Sequence, residues 1–226
     1  IFWLRLAHNG PGRMIELRPH QVDIVEALRA SLRKGYKRTV IQAPCSTGKT
    51  AISAFLMQQA ALKNRRSVML CDRVILVEQT IETLIAFGLE GQFSVMMADH
   101  ELYDPSKLIQ VCSTQTAMNR KNSPALAADL FIIDECHVLY KGVQELMRRF
   151  DNCVWVGLSA TPLSAGLSAP GLFQDLVTTV KTPDLVARGL LTPIEYYAGH
   201  QVNLAGVRSI SAPTGGSDYN PADLEK

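Results

Sequence analysis

The feature that most constrains this chain is a repeated alternation of short β-rich runs with helical stretches. The runs fall at Thr39–Ala43, Ser67–Cys71, Phe93–Met97, Leu108–Cys112, Leu130–Asp134 and Cys153–Leu158. Most are separated by helical patterns such as Ala51–Leu62 and Val74–Phe87, and an apolar stripe at Val22, Val25, Leu28 and Leu32 marks a further helix ahead of the first run. Nearly continuous apolar strands joined by helices this long predict βαβ units. The expected fold class is therefore α/β, a mostly parallel sheet with helices on both faces. In such a sheet ligands sit at the carboxyl ends of the strands, so the residues just after each strand carry the functional reading.

After the first strand comes Ala43-Pro44-Cys45-Ser46-Thr47-Gly48-Lys49-Thr50, leading into a helix. A loop that opens a helix aims several backbone N–H groups and the positive end of the helix dipole at one spot, which suits a triphosphate. In the P-loop reading, Pro44 to Gly48 cradle the phosphates. Lys49 reaches the β and γ phosphates, and Thr50 contributes a hydroxyl to Mg²⁺. The position usually held by glycine is Ala43 here, so the bare pattern is imperfect, and a helix entry with an exposed lysine is the bland alternative. The strand Leu130–Ile133 ends in Asp134-Glu135-Cys136-His137. Two adjacent carboxylates at a buried strand end are costly without a cation, and nucleotide-bound Mg²⁺ supplies one. Asp134 then contacts Mg²⁺ through water, while Glu135 orients and deprotonates the attacking water. An acidic turn opening a helix over Cys136–Arg149 accounts for the same residues without chemistry.

The strand Val154–Leu158 runs into Ser159-Ala160-Thr161-Pro162. A phosphate loop, an Asp-Glu-x-His box and a Ser-Ala-Thr element in that order resemble the superfamily 2 helicases, in the group of DEAD/DEAH enzymes, type III restriction subunits and RadD-like enzymes. That resemblance implies a RecA-like nucleotide-binding domain using ATP and Mg²⁺. It also implies readings that the residues alone do not give. Arg18 and Gln21, in Leu17-Arg18-Pro19-His20-Gln21, correspond to the adenine-recognition element. Arg73, Gln79 and Thr80 resemble motif Ia, and Ser113, Thr114 and Gln115 match the motif Ib region, both of which hold a nucleic-acid backbone; helix capping is the bland reading of each. His137, Ser159, Ala160 and Thr161 are expected to face each other across neighbouring strand ends and couple hydrolysis to nucleic-acid grip.

The expected layout is an N-terminal extension over residues 1–16, the ATP-binding domain over 17–165, and a continuation of the same lobe over 166–208. A linker over 209–226 would lead toward a second RecA-like lobe outside this chain. Within this, Leu163–Pro170 reads as a loop, Thr182–Leu191 as a short helix and Ile194–Ala198 as a strand.

The partner implied is DNA, bound largely without regard to sequence, with RNA the less favoured polymer. A formal charge of +2 confines any such contact to local patches. A basic stretch at Arg29, Arg33, Lys34, Lys37 and Arg38 reads first as a solvated helix end. Five cysteines, with no Cys-x-x-Cys pair, argue against zinc and disulfides and for a reducing, cytoplasmic setting. Cys136 reads as packing rather than as a nucleophile. No apolar run approaches the length of a membrane span. Two alternatives stay open beside the motor reading: a nucleotide-switched binding module without turnover, and a P-loop kinase for a small acceptor.

Overall fold

The computed structural model describes residues 15–162, 172–193, 209–211 and 217–219. Seven parallel strands form one sheet in the order β3-β4-β2-β5-β6-β1-β7: β1 Arg38–Gln42, β2 Ser67–Cys71, β3 Phe93–Met96, β4 Ile109–Ser113, β5 Leu130–Ile133, β6 Val154–Ser159 and β7 Asp175–Val177. The helices are α1 Pro19–Arg33, α2 Lys49–Ala61, α3 Val74–Ala86, α4 Thr114–Asn119, α5 Lys141–Arg149 and α6 Thr182–Ala187. Strands β2, β3 and β4 are buried along almost their whole length, as strands covered on both faces must be.

Successive side chains of each strand enter opposite cores. On one face Ile41, Met69, Val111, Ile132, Val156 and Leu158 pack with Ile24, Leu28, Ile52, Met57 and Leu84 of α1 to α3. On the other, Val40, Leu70, Phe131, Ile133 and Trp155 pack with Ala117, Val143, Leu146 and Met147 of α4 and α5. Phe131 stacks on Trp155 with ring centroids 4.1 Å apart and planes 8° from parallel, and the buried indole N–H donates to the Phe150 carbonyl at 2.9 Å.

Gly157 sits beneath this second core. A Cβ added there would lie 2.7 Å from Cys136 Sγ and 3.1 Å from the Phe173 ring, so the strand passes where only glycine fits. Cys136 is correspondingly buried, and desolvation pushes its thiol up to about 12; it is protonated filling, as expected.

Three differences from the sequence reading have physical causes. Strand β7 is an edge strand of three residues in which only Val177 is buried, so it leaves no apolar run to detect. The helix that the non-chemical alternative placed over Cys136–Arg149 begins only at Lys141, after Tyr140 in extended conformation. Before it, Glu135 adopts φ +48° and the Cys136 N–H donates to Leu158 O at 2.9 Å, so the acidic pair sits on a turn tied to the sheet rather than on a helix. Within the stretch read as linker, β8 Ser209–Ser211 and β9 Ser217–Tyr219 pair antiparallel as a separate small unit. Residues 1–14 of the extension expected over 1–16, the Leu163–Pro170 loop and the Ile194–Ala198 strand lie outside the described residues, while Ile15 is buried in the core. The basic residues of α1 are surface features: Arg29 and Arg33 both pair with Glu26, at 2.6 and 3.6 Å. Among the described residues no helix is long and apolar enough to cross a membrane.

Candidate nucleotide site at the carboxyl edge of the sheet

The phosphate-loop segment leaves β1 at Ala43, whose N–H donates to Ser159 O at 2.8 Å and so ties it to β6. The loop then coils tightly. Thr47 returns both its N–H (3.2 Å) and its hydroxyl (2.6 Å) to the Pro44 carbonyl. Ser46 (φ +63°) and Gly48 (φ +81°) are both left-handed, the conformation that turns successive N–H groups inward to make an anion-binding concavity. Pro44, Ser46 and Thr47 shape this turn, Cys45 is exposed on it, and Gly48 is the residue just before α2. Lys49 and Thr50 form the first turn of that helix, both partly exposed.

The first turn of α1 braces the loop from behind. Gln21, 5% exposed, donates through Nε2 to Thr47 O at 3.0 Å and accepts the Arg18 N–H through Oε1 at 2.9 Å. His20 Nε2 lies 3.2 Å from the same carbonyl. A Cβ on Gly48 would come within 2.4 Å of Gln21 Nε2, so only glycine permits this contact. The sequence reading singled out Arg18 and Gln21; it missed His20, whose only signal was its place beside Gln21. Arg18 is exposed.

The acidic pair lies across β6 from the loop, at the end of β5. Its turn is tied on both sides: Asp134 N–H donates to Leu70 O of β2 at 3.0 Å, and Cys136 N–H to Leu158 O of β6. Asp134 is 9% exposed, and its carboxylate accepts the Glu135 N–H at 3.0 Å. Burial raises the Asp134 pKa above the ordinary carboxylate range, with nearby Lys49 pulling it the other way. Glu135 forms an ion pair with Lys49, joining the two motifs directly. The other Glu135 oxygen lies 3.2 Å from His137 Nδ1, which is also 3.2 Å from Ser159 Oγ. Ser159 Oγ in turn accepts the Thr161 N–H at 3.1 Å, with Ala160 between them. Lys49, Glu135, His137, Ser159 and Thr161 thus form one connected chain.

The donor set fits Mg²⁺ and a nucleotide. No cluster of three or more His, Cys, Asp or Glu that could cage an ion exists among the described residues. What the site offers is one buried carboxylate with no direct ion pair among the described residues, a hydroxyl at Thr50 and a tightly coiled loop; Mg²⁺ is characteristically held by one or two carboxylates together with substrate phosphates.

The residues expected to hold nucleic acid lie at and beyond the carboxyl ends of β2 and β4. Arg73, just before α3, is exposed, as are Gln79 on α3 and Gln115 on α4, with Ser113 half-buried and Thr114 buried. Thr80 faces the core instead: it is 1% exposed and its hydroxyl donates to Leu76 O at 2.7 Å, beside Cys71 Sγ. The Tyr140 hydroxyl, unremarked in the sequence, faces the Asp72 carboxylate, which raises its pKa and brings the end of β2 near the segment after the acidic turn.

Known proteins match this geometry at two levels. Solved structures share the fold. The UvsW helicase of bacteriophage T4 superposes with a TM-score of 0.62 at 19% identity, over 77% of this chain and 64% of that one. The Hef helicase domain of Pyrococcus furiosus gives 0.54 at 18%, over 76% and 41%. The SWI2/SNF2 ATPase core of Sulfolobus solfataricus, solved in complex with double-stranded DNA, gives 0.52 at 18%, over 72% and 35%. The chain thus spans less than two thirds of each of these structures. A comparison with curated protein sequences finds no match. The family model for the res subunit of type III restriction enzymes matches residues 14–164, which take in the phosphate loop, the acidic turn and the Ser159–Thr161 element. With that match over more than half its length, and with the sheet of a RecA-like helicase domain, this chain belongs to the type III restriction enzyme res subunit family.

Proposed function

We propose that the chain is the ATP-binding lobe of an ATP-dependent DNA helicase or translocase, hydrolysing ATP in step with nucleic-acid binding. The observation that carries this reading is the continuous contact chain from Lys49 through Glu135 and His137 to Ser159. It joins a phosphate loop to an acidic pair and then to the strand end beyond, which is what a device converting hydrolysis into movement requires.

In this reading the backbone from Pro44 to Gly48 and the Lys49 ammonium hold the phosphates, while Arg18 holds the base; Gln21 would first have to leave its hydrogen bonds to Thr47 O and from Arg18 N–H to join it. Thr50 and Asp134 hold Mg²⁺, which when bound neutralises charge developing on the β and γ phosphates. Lys49 exchanges Glu135 for phosphate oxygens as nucleotide enters. Glu135, released, orients a water and accepts its proton. His137 shares Ser159 with the Thr161 backbone, so a move of Glu135 is felt at the Ser159–Thr161 segment. Arg73, Gln79, Ser113, Thr114 and Gln115 are positioned to hold a sugar–phosphate backbone; Thr80 would first have to leave its internal hydrogen bond. The duplex DNA in the SWI2/SNF2 complex favours DNA over RNA as the polymer. Five free thiols suit a reducing, cytoplasmic interior. The domain layout proposed is one RecA-like lobe over residues 17–208 and a connection over 209–226 to a second lobe, whose arginine fingers would raise turnover by about three to five powers of ten.

The test is ATP turnover by the chain with single-stranded DNA, duplex DNA or RNA, in wild type and in Lys49→Ala and Glu135→Gln. Turnover is expected to be slow, stimulated by DNA and lost in both variants. Variants as active as wild type would end the reading. Stimulation by RNA alone would redirect it to an RNA motor, and binding without single-turnover product to a nucleotide-switched module.

A further inference from the structure

A cleft of about 240 Å³ opens beside the first turn of α1, lined by Arg18, Pro19 and His20 on one side and by Arg188 and Leu190 on the other. His20 belongs to both places: it lines the cleft, and its Nε2 lies 3.2 Å from the Thr47 carbonyl of the phosphate loop. His20 itself is 1% exposed, so the cleft adjoins the residues that carry the phosphate loop rather than the loop itself. The volume is below the roughly 300–1,000 Å³ of sites that engulf a drug-sized molecule, and suits one flat ring system rather than a whole nucleotide.

The far wall is built with some precision. Helix α6 ends at Ala187, Gly189 turns left-handed at φ +68°, and the Leu190 and Leu191 N–H groups both return to the Leu185 carbonyl at 2.9 and 3.3 Å. This is a helix stop of the Schellman type, and the buried Leu185 side chain anchors it. It sets Arg188 and Leu190 on either side of the glycine, at the cleft. The lining holds two guanidinium groups, two apolar side chains and a histidine, with no carboxylate. None of the ion pairs among the described residues involves Arg18 or Arg188. A planar cation without a counter-charge, over an apolar floor, is suited to the face of an aromatic ring.

We propose that Arg188, with Leu190, forms the outer wall of the nucleotide's base site, closing on the base from α6 while Arg18 and His20 form the inner wall. This rests on the nucleotide reading of the phosphate loop and extends the site to a segment some 140 residues downstream in sequence. Arg188 is exposed, and its side chain takes no part in the hydrogen bonds that hold the phosphate loop.

Equilibrium binding of ATP and of inorganic tripolyphosphate, both with Mg²⁺, separates the two ideas, because the second probe has phosphates and no base. In Arg188→Ala, ATP is expected to bind about three- to tenfold more weakly, with tripolyphosphate unchanged. Lys49→Ala should weaken both. Unchanged ATP affinity in Arg188→Ala, or equal weakening of both probes, would overturn the proposed wall while leaving the phosphate loop standing. If wild type binds neither probe, the nucleotide reading itself fails and the wall falls with it.

Discussion

Replacing Gly48 with alanine tests the architecture of the phosphate loop at a single atom. Gly48 holds φ +81°, and its missing Cβ leaves the space in which Gln21 Nε2 sits, 2.4 Å from where that carbon would be. Two costs follow. Left-handed backbone in an L-residue costs about 1–2 kcal/mol. The Gln21 amide must also move, giving up hydrogen bonds to Thr47 O and from Arg18 N–H worth about 0.5–1.5 kcal/mol each. The sum is about 2–5 kcal/mol, which lowers the melting temperature of a domain this size by about 4–20 °C. Gly35→Ala is the internal control: its φ is +92° but its Cβ meets nothing within 4 Å, so only the strain of about 1–2 kcal/mol should appear. Denaturant titration of Gly48→Ala, Gln21→Ala and the double variant then measures the clash itself. If the two side chains compete for one space, the double variant is more stable than the sum of the singles predicts, by about 1–3 kcal/mol. Strict additivity, or a Gly48→Ala cost no larger than that of Gly35→Ala, would refute the steric argument.

Three further outcomes follow from the same structure. Gly157→Ala forces a methyl into Cys136 Sγ and the Phe173 ring and should cost about 1–3 kcal/mol in chemical denaturation; Cys136→Ala in the same chain should recover part of it, since it removes the sulfur being struck. Asp134→Asn should stabilise the metal-free, nucleotide-free fold at neutral pH while removing Mg²⁺-dependent nucleotide binding. The folded pKa of Asp134 is raised, so the wild-type penalty appears as pH climbs above the ordinary carboxylate value, and thermal melts of the two proteins should converge in acid. Trp155→Ala opens a cavity beneath the Phe131 ring and leaves the Phe150 carbonyl without its indole donor, a loss of about 3–5 kcal/mol by denaturant titration.

Much of this was legible in the chain itself, and what was not has a common cause. Strands β1 to β6 were readable to within a residue or so, because strands buried on both faces must be apolar throughout. The loop from Pro44 to Gly48 and the Asp134–Glu135 turn could be placed because each directly follows a legible strand, β1 and β5. Features settled by tertiary contact were not readable. Thr80 sits at a position suggesting a surface hydroxyl, yet the rotation of α3 against the sheet turns it toward Leu76 and Cys71. His20 gave no sign that it would share the Thr47 carbonyl with Gln21. Arg188 and Leu190 are far from the loop in sequence, and only the stop of α6 brings them to the cleft. The exposed, three-residue β7 left no pattern at all.

The placement of β5 gives the acidic turn a mechanical meaning. Its strand is interior, with β2 on one side and β6 on the other, and the turn itself is tied by one N–H to each neighbour, at Leu70 and at Leu158. Adjacent strands are only about 4.8 Å apart. A shift of the Asp134–Glu135 turn that stretches these two bonds would reach both neighbouring strand ends at once, one leading to Arg73 and the other to Thr161. Geometrically the turn is a shared axle, with the ends of β2 and β6 hung on it by one backbone hydrogen bond each.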